Sequence, residues 1–117
     1  MKILVIDDMR TFRTEPDNAE VVYARTSREG LRTLRQDKSW DRIYLDHDLG
    51  YNEHQGADTI RPVLSYIEEH SEEFLSRPTF CVITSNAYAG DMMVRSLSVC
   101  GLAVQRMNAS RQFHYAW

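Results

Sequence analysis

Ile3-Leu4-Val5-Ile6-Asp7-Asp8 decides how the rest of this sequence is read. A half-exposed strand of an antiparallel sheet would alternate apolar and polar residues. An unbroken apolar run of strand length fits instead a strand covered on both faces. The pattern recurs down the chain. Val21-Val22-Tyr23-Ala24 is a second run. Arg42-Ile43-Tyr44-Leu45, ended by Asp46, is a third, and Phe80-Cys81-Val82-Ile83, ended by Thr84-Ser85-Asn86, is a fourth. Leu102-Ala103-Val104 is a weaker fifth.

Helical spacing fills most of the gaps. Thr26-Ser27-Arg28-Glu29 reads as a capping box, with Leu31 and Leu34 on one face of the helix it opens. Ile60, Val63, Leu64 and Ile67 form one buried stripe, with Glu68, Glu69, Glu72 and Glu73 turned outward. Asp58 is the expected N-cap there, which places Pro62 near the first turn. Met93, Val94 and Leu97 predict a further helix, stopped by Gly101. The stretch from Asp8 to Val21 reads as a short irregular connection, and Asn108 to Trp117 leaves little room for a last helix.

Strand and helix in alternation imply a parallel sheet covered on both sides. The expectation is an α/β, flavodoxin-like, doubly wound sheet of about five parallel strands, with shortened first and last helices. The chain has 117 residues, the size of one domain, so 1–117 is read as a single unit. At 43% hydrophobic it has enough apolar residues for a packed core. A formal net charge of −3 argues against a nucleic-acid binder driven by bulk positive charge. No apolar run approaches the roughly 18 residues that span a bilayer, so no membrane association is expected. Cys81 and Cys100 are too few for a disulfide framework and read as core residues. A reduced, cytoplasmic protein is the expectation.

In a doubly wound sheet, ligands bind beyond the carboxyl ends of the strands. The first run delivers Asp7 and Asp8 there; the third delivers Asp46, followed by His47 and Asp48; the fourth delivers Thr84, Ser85 and Asn86. One aspartate after a strand is ordinarily a turn or cap residue. Two acidic clusters converging in one crevice repel each other unless a cation or protons neutralise them. Oxygen ligands in that number suit Mg²⁺ or Mn²⁺, with Asp7, Asp8, Asp46 and Asp48 as the candidate metal ligands. Arg10 should overhang the same crevice and clamp a phosphate. In an extended chain His47 points away from the side shared by Asp46 and Asp48. His47 and His54 are both candidates for acid or base work, and both also fit hydrogen-bonded loop histidines. Thr84, Ser85 and Asn86 can hold a phosphate or simply cap a helix. Arg28, Arg32 and Arg35 share a helical face that reads as solvated. The aromatic tail Phe113-His114-Tyr115-Ala116-Trp117 reads first as a cover for the sheet, with a protein or homodimer contact, or stacking faces for bases, as the alternatives.

With these residues in place the chain resembles a receiver domain of two-component signalling. Asp7-Asp8 match the acidic pair, Asp46 the phospho-acceptor and Thr84 the hydroxyl residue. The usual lysine is absent; Gln105-Arg106-Met107 stand there. A closer resemblance is to the cyclic-phosphate-processing receiver-like family. It rests on Asp7-Asp8-Met9-Arg10-Thr11, on Arg25 after the second strand, and above all on the complete Leu45-Asp46-His47-Asp48-Leu49-Gly50. Gly56 matches the glycine that opens the following helix region, and Thr84-Ser85-Asn86-Ala87-Tyr88-Ala89-Gly90 replaces a motif that begins with histidine. The resemblance implies a metal-dependent phosphoesterase opening a cyclic phosphate on a nucleotide, an RNA end or an ADP-ribose. Asp46, His47 and Arg10 would be catalytic, with Arg25, Thr84, Ser85 and Asn86 binding substrate. The alternatives are a receiver phosphorylated on Asp46 and a degenerate receiver that binds a protein or nucleotide without turnover.

Overall fold

The computed structural model describes residues 1–115. Five parallel strands form the central sheet: β1 (Lys2–Ile6), β3 (Glu20–Ala24), β4 (Arg42–Leu45), β7 (Thr79–Val82) and β8 (Val104–Arg106). Their spatial order is β3-β1-β4-β7-β8, the flavodoxin-like winding expected from the sequence. The order reverses at β1, so the crevice beyond the ends of β1 and β4 is the switch point. Each ladder runs one residue past its strand. The Asp7 N–H donates to the Ala24 carbonyl at 3.1 Å, and the Asp46 N–H donates to the Ile6 carbonyl at 3.0 Å. That last bond holds Asp46 beside Asp7.

The two faces of the sheet are covered differently. Leu4, Ile6, Ile43, Leu45, Phe80 and Val82 pack against α1 (Ser27–Gln36), α2 (Arg61–Glu69) and α3 (Ala87–Val99) through Leu34, Val63, Ile67, Met93 and Leu97. Ile3, Val5, Tyr44, Cys81 and Ile83 face the other way, onto Phe12, Ala109 and Phe113. Among the described residues no α-helix covers that second face, and the expected shortened first and last helices are absent. A two-stranded antiparallel ribbon of β2 (Arg10–Phe12) and β9 (Phe113–Tyr115), with a 3₁₀ turn at Ala109–Arg111, covers it instead. The physical reason is the scarcity of apolar side chains in these segments. Phe12 and Phe113 are the large side chains these segments bury among the described residues, and a strand pair delivers both to the same spot. Their rings stack at 4.4 Å between centroids, and Tyr44 meets both edge-on. Phe113 and Ala109 therefore cover the sheet, while His114 and Tyr115 are exposed. Ala116 and Trp117 of the expected aromatic tail lie outside the described residues.

Three local expectations need correction. Asp58 does not cap α2. Its carboxylate accepts from the Ser27 N–H at 2.8 Å and the Ser27 hydroxyl at 2.6 Å, across the fold at the start of α1. Gly56 sits in a hairpin rather than at a helix start: β5 (Asp48–Asn52) pairs with β6 (Gly56–Thr59) before α2 begins. The fifth strand lies at Val104–Arg106, later than Leu102-Ala103-Val104, and Leu102 is a buried loop residue. The Thr26 cap is as expected, accepting from the Glu29 N–H at 3.1 Å, and Gly101 follows α3 with φ +80°. No described helix is long and apolar enough to cross a membrane.

Candidate metal and phosphate site

Asp7, Asp46 and Thr84 are the buried polar residues at the carboxyl ends of β1, β4 and β7. Asp7 is 1% exposed and Asp46 7%. Asp7, Asp8 and Asp46 each offer a carboxylate oxygen, all within 4.8 Å of one another. This is an oxygen-only donor set of the kind a hard divalent cation takes. Asp48 lines the same pocket from its rim, 65% exposed at its side chain. Gly50 closes that side. Its φ is +90°, and a Cβ there would come 3.1 Å from Asp8 Oδ2, so a side chain at this position is strained and presses on Asp8.

Hydrogen bonds hold the carboxylates in place. Asp7 Oδ1 accepts from the N–H groups of Met9 and Arg10, both at 2.9 Å. Arg10 Nη1 lies 3.0 Å from Asp7 Oδ2 and 3.5 Å from Asp46 Oδ2, bridging the two strand ends. Asp46 Oδ1 accepts from the His47 N–H at 2.9 Å, and the Thr84 hydroxyl bonds the same carboxyl. Burial, then the charge of Asp7, still push the Asp46 carboxyl up to about 6, against those two bonds and Arg10. Asp8 is raised as well, by burial and by Asp7. For Arg10, burial works against the charged form, but the hydrogen bond and charges of Asp7 and the charge of Asp46 outweigh it and hold the guanidinium above its usual range.

The other sequence candidates divide. Ser85 lines the carboxylate pocket with Asp7, Asp8, Arg10, Asp46 and Asp48. His47 does not. It lines the adjoining cleft between α2 and α3, with its Nδ1 at 3.0 Å from Asp48 Oδ1. Asn86 shares that cleft, and its side chain caps α3 by accepting from the Ala89 N–H at 3.1 Å. His54 is exposed in the β5–β6 turn. Arg25 lies beneath the site. It donates through Nη1 to the carbonyls of Asp7 and Arg10 and through Nη2 to Thr11 Oγ1, with its guanidinium 4.7 Å from the Tyr23 ring centre. It braces the β1–β2 connection that carries Arg10. Arg28, Arg32 and Arg35 are exposed on α1.

Sequence reasoning passed over Arg106 except as a missing lysine. Its Nη2 donates to the Thr84 carbonyl at 2.8 Å. Its guanidinium fills the space above Gly90, where an added Cβ would lie 1.1 Å from Nη1. The signal was Gly90, a glycine inside the first turns of a helix with no turn to make.

Residues 2–99 match the sequence profile of the cyclic-phosphate processing receiver domain. The chain belongs to that family. The crystal structure of the phosphorylated cyanobacterial phytochrome response regulator RcpA superposes with a TM-score of 0.60 at 19% identity, covering 92% of this chain and 79% of that one. No curated protein matches the chain in sequence. This member of the cyclic-phosphate processing receiver family thus keeps the receiver fold. Its β2–β9 ribbon, which includes β9 beyond the matched residues, covers the second face of the sheet.

Proposed function

We propose that this protein is a metal-dependent phosphoesterase that opens a cyclic phosphate on a phosphorylated small molecule or an RNA end. The observation that carries the reading is the meeting of Asp7, Asp8 and Asp46 within 4.8 Å, with Arg10 bridging Asp7 and Asp46. Three clustered carboxylates, two of them buried, fit a Mg²⁺ or Mn²⁺ ion, which Asp7, Asp8 and Asp46 would hold, with Asp48 joining directly or through water. The ion, when bound, polarises a phosphoryl oxygen. Arg10 already spans the two strand ends and neutralises charge developing on the phosphate. Ser85 offers a hydroxyl at the same wall. The attacking oxygen comes from water or from the Asp46 carboxylate; a new P–O bond forms and the P–O bond to the ring oxygen breaks, and where Asp46 attacks, water then cleaves the acyl phosphate and returns the free carboxylate. That ring oxygen needs a proton. His47 is the proposed donor: it lines the adjoining cleft, and its Nδ1 lies 3.0 Å from Asp48 Oδ1 at the rim of the carboxylate pocket.

A phosphorus NMR assay tests this directly. The protein is incubated with a panel of cyclic phosphates, with and without Mg²⁺ or Mn²⁺, and Asp46→Asn is the control. Ring opening that needs the metal and disappears in the variant is the expected result. Folded protein that binds metal and turns over nothing contradicts the reading and leaves a binding module.

A second reading has one specific observation behind it. The Thr84 hydroxyl bonds the Asp46 carboxyl at a strand end, an arrangement suited to a phospho-acceptor. Under that reading, acetyl phosphate adds one acid-labile phosphoryl group to Asp46. No such group forms under the esterase reading in which water attacks.

A further inference from the structure

Beside the carboxylate pocket lies a second cavity of about 520 Å³, lined by Arg10, Thr84, Ser85, Arg106, Ser110 and Tyr115 among others. The two cavities share Arg10, Ser85 and Tyr115. Their charges are opposite. Four aspartates line the first, whereas no carboxylate among the described residues lines the second. Arg106 has no ion-pair partner among the described residues. Although the residue is exposed, its guanidinium is anchored at one edge: Nη2 donates to the Thr84 carbonyl, and the group sits over Gly90. A guanidinium held at one edge loses little freedom when its remaining N–H groups meet an anion. Ser85 and Ser110 add hydroxyls, and Arg10, paired with Asp7 and Asp46, brings a second guanidinium to the lining.

We infer that this cavity receives a second phosphate group of the substrate. On the reading above, the cyclic phosphate sits at the aspartates, and the shared wall of Arg10, Ser85 and Tyr115 lets one ligand span both cavities. The substrate class is then a cyclic phosphate bearing another phosphate, as a terminal ester or as the diester of an RNA end. A nucleoside cyclic monophosphate with a free 5′-hydroxyl leaves the cavity unfilled.

The test compares kcat/KM for adenosine 2′,3′-cyclic phosphate, its 5′-phosphorylated counterpart, and a dinucleotide ending in a cyclic phosphate. In the wild type the second phosphate should raise kcat/KM by roughly tenfold or more, the effect of one charge-assisted contact. A gain for the 5′-phosphate alone assigns a terminal ester; a gain for the dinucleotide as well admits the RNA end. In Arg106→Gln the ratio between phosphorylated and unphosphorylated substrates should collapse towards one. Gly90→Ala gives an independent check, because its methyl group displaces the guanidinium while keeping the arginine. It should lower the same ratio in a folded protein. Equal kcat/KM for all three substrates in the wild type overturns the inference, as does an equal loss on all of them in both variants.

Affinity separates this inference from the activity itself. Adenosine 2′-phosphate and adenosine 2′,5′-bisphosphate are titrated by calorimetry in Mg²⁺. Tighter binding of the bisphosphate, lost in Arg106→Gln, sustains the cavity even if no ring is opened. Equal affinity for the two removes the cavity even if turnover is found.

Discussion

Asp46 carries conflicting demands within one side chain. Burial and Asp7 favour its neutral form, while Thr84, Arg10 and the His47 N–H favour the charged one, and the balance leaves it near 6 against 3.8 in an unfolded chain. A carboxyl whose folded value is raised binds its proton more tightly in the folded state. Its favourable contribution is complete below the unfolded value and is lost as pH rises through the folded one. The metal-free protein should therefore lose stability between about pH 4 and pH 6 through this group. Asp46→Asn, which keeps an acceptor for His47, should be more stable than wild type at pH 8 in chelator, by on the order of 2 kcal/mol. The gap should narrow towards pH 4. Thermal unfolding at both pH values checks this, and a lower melting temperature for the variant at pH 8 contradicts it. Gly50 makes the complementary case. Gly50→Ala forces an L side chain to φ +90° and brings its methyl against Asp8. Destabilisation of about 1–2 kcal/mol is expected, with weaker Mg²⁺ binding measured by calorimetry, because Asp8 must turn aside.

At the level of elements, the β2–β9 ribbon does the work that terminal helices do elsewhere in doubly wound folds. Its hold on the sheet is aromatic: Phe12 and Phe113 stack, and Tyr44 of β4 meets both. Phe113 is 2% exposed. Phe113→Ala should cost about 3–5 kcal/mol, as large cavities in a packed core do. A double-mutant cycle with Phe12→Ala should give a coupling near 1 kcal/mol, the usual surplus of a ring pair beyond its burial. Additive losses in urea denaturation would show that the two strands hold the sheet separately. The ribbon also carries function, because Arg10 opens β2, and Tyr115 of β9 lies 5.7 Å from the Arg10 guanidinium, ring centre to Cζ. Loosening β9 should therefore reach the carboxylate pocket as well as the core.

For the molecule as a whole, folding gathers charge that the chain scatters. A net charge of −3 is modest, yet three carboxylates meet at one edge of the sheet. A ligand that binds the folded state alone stabilises it by mass action, by about 2.7 kcal/mol at a hundredfold excess over Kd. Mg²⁺ should raise the melting temperature of the wild type and leave Asp46→Asn nearly unmoved. Equal shifts in both proteins would place the ion elsewhere. Salt offers a matched control, since a screened surface effect fades with ionic strength while a buried oxygen site does not.

The residues themselves determined the sheet. Runs such as Ile3–Ile6 and Ile43–Leu45 are apolar on both faces, and only a strand buried on both sides accepts them; the aspartates that end them then fall at the carboxyl edge. Local chemistry likewise announced Thr26 as a cap and Pro62 within the first turn of α2. What depends on partners distant in sequence was not legible. Asp58 looks like the nearest helix cap, but the β5–β6 hairpin carries it to Ser27, 31 residues away. Phe12 and Phe113 have no local reason to become strands and gain one only when each finds the other. Arg25 follows a strand as a substrate ligand would, yet the fold turns its guanidinium onto the carbonyls of Asp7 and Arg10. Arg106 and Gly90 mean little apart, and the cavity they shape exists only once β8 lies beside β7. Periodicity and capping are local energies, which a sequence displays. Side-chain partnerships across the sheet are set by the packing of the whole chain, and only the tertiary structure decides them.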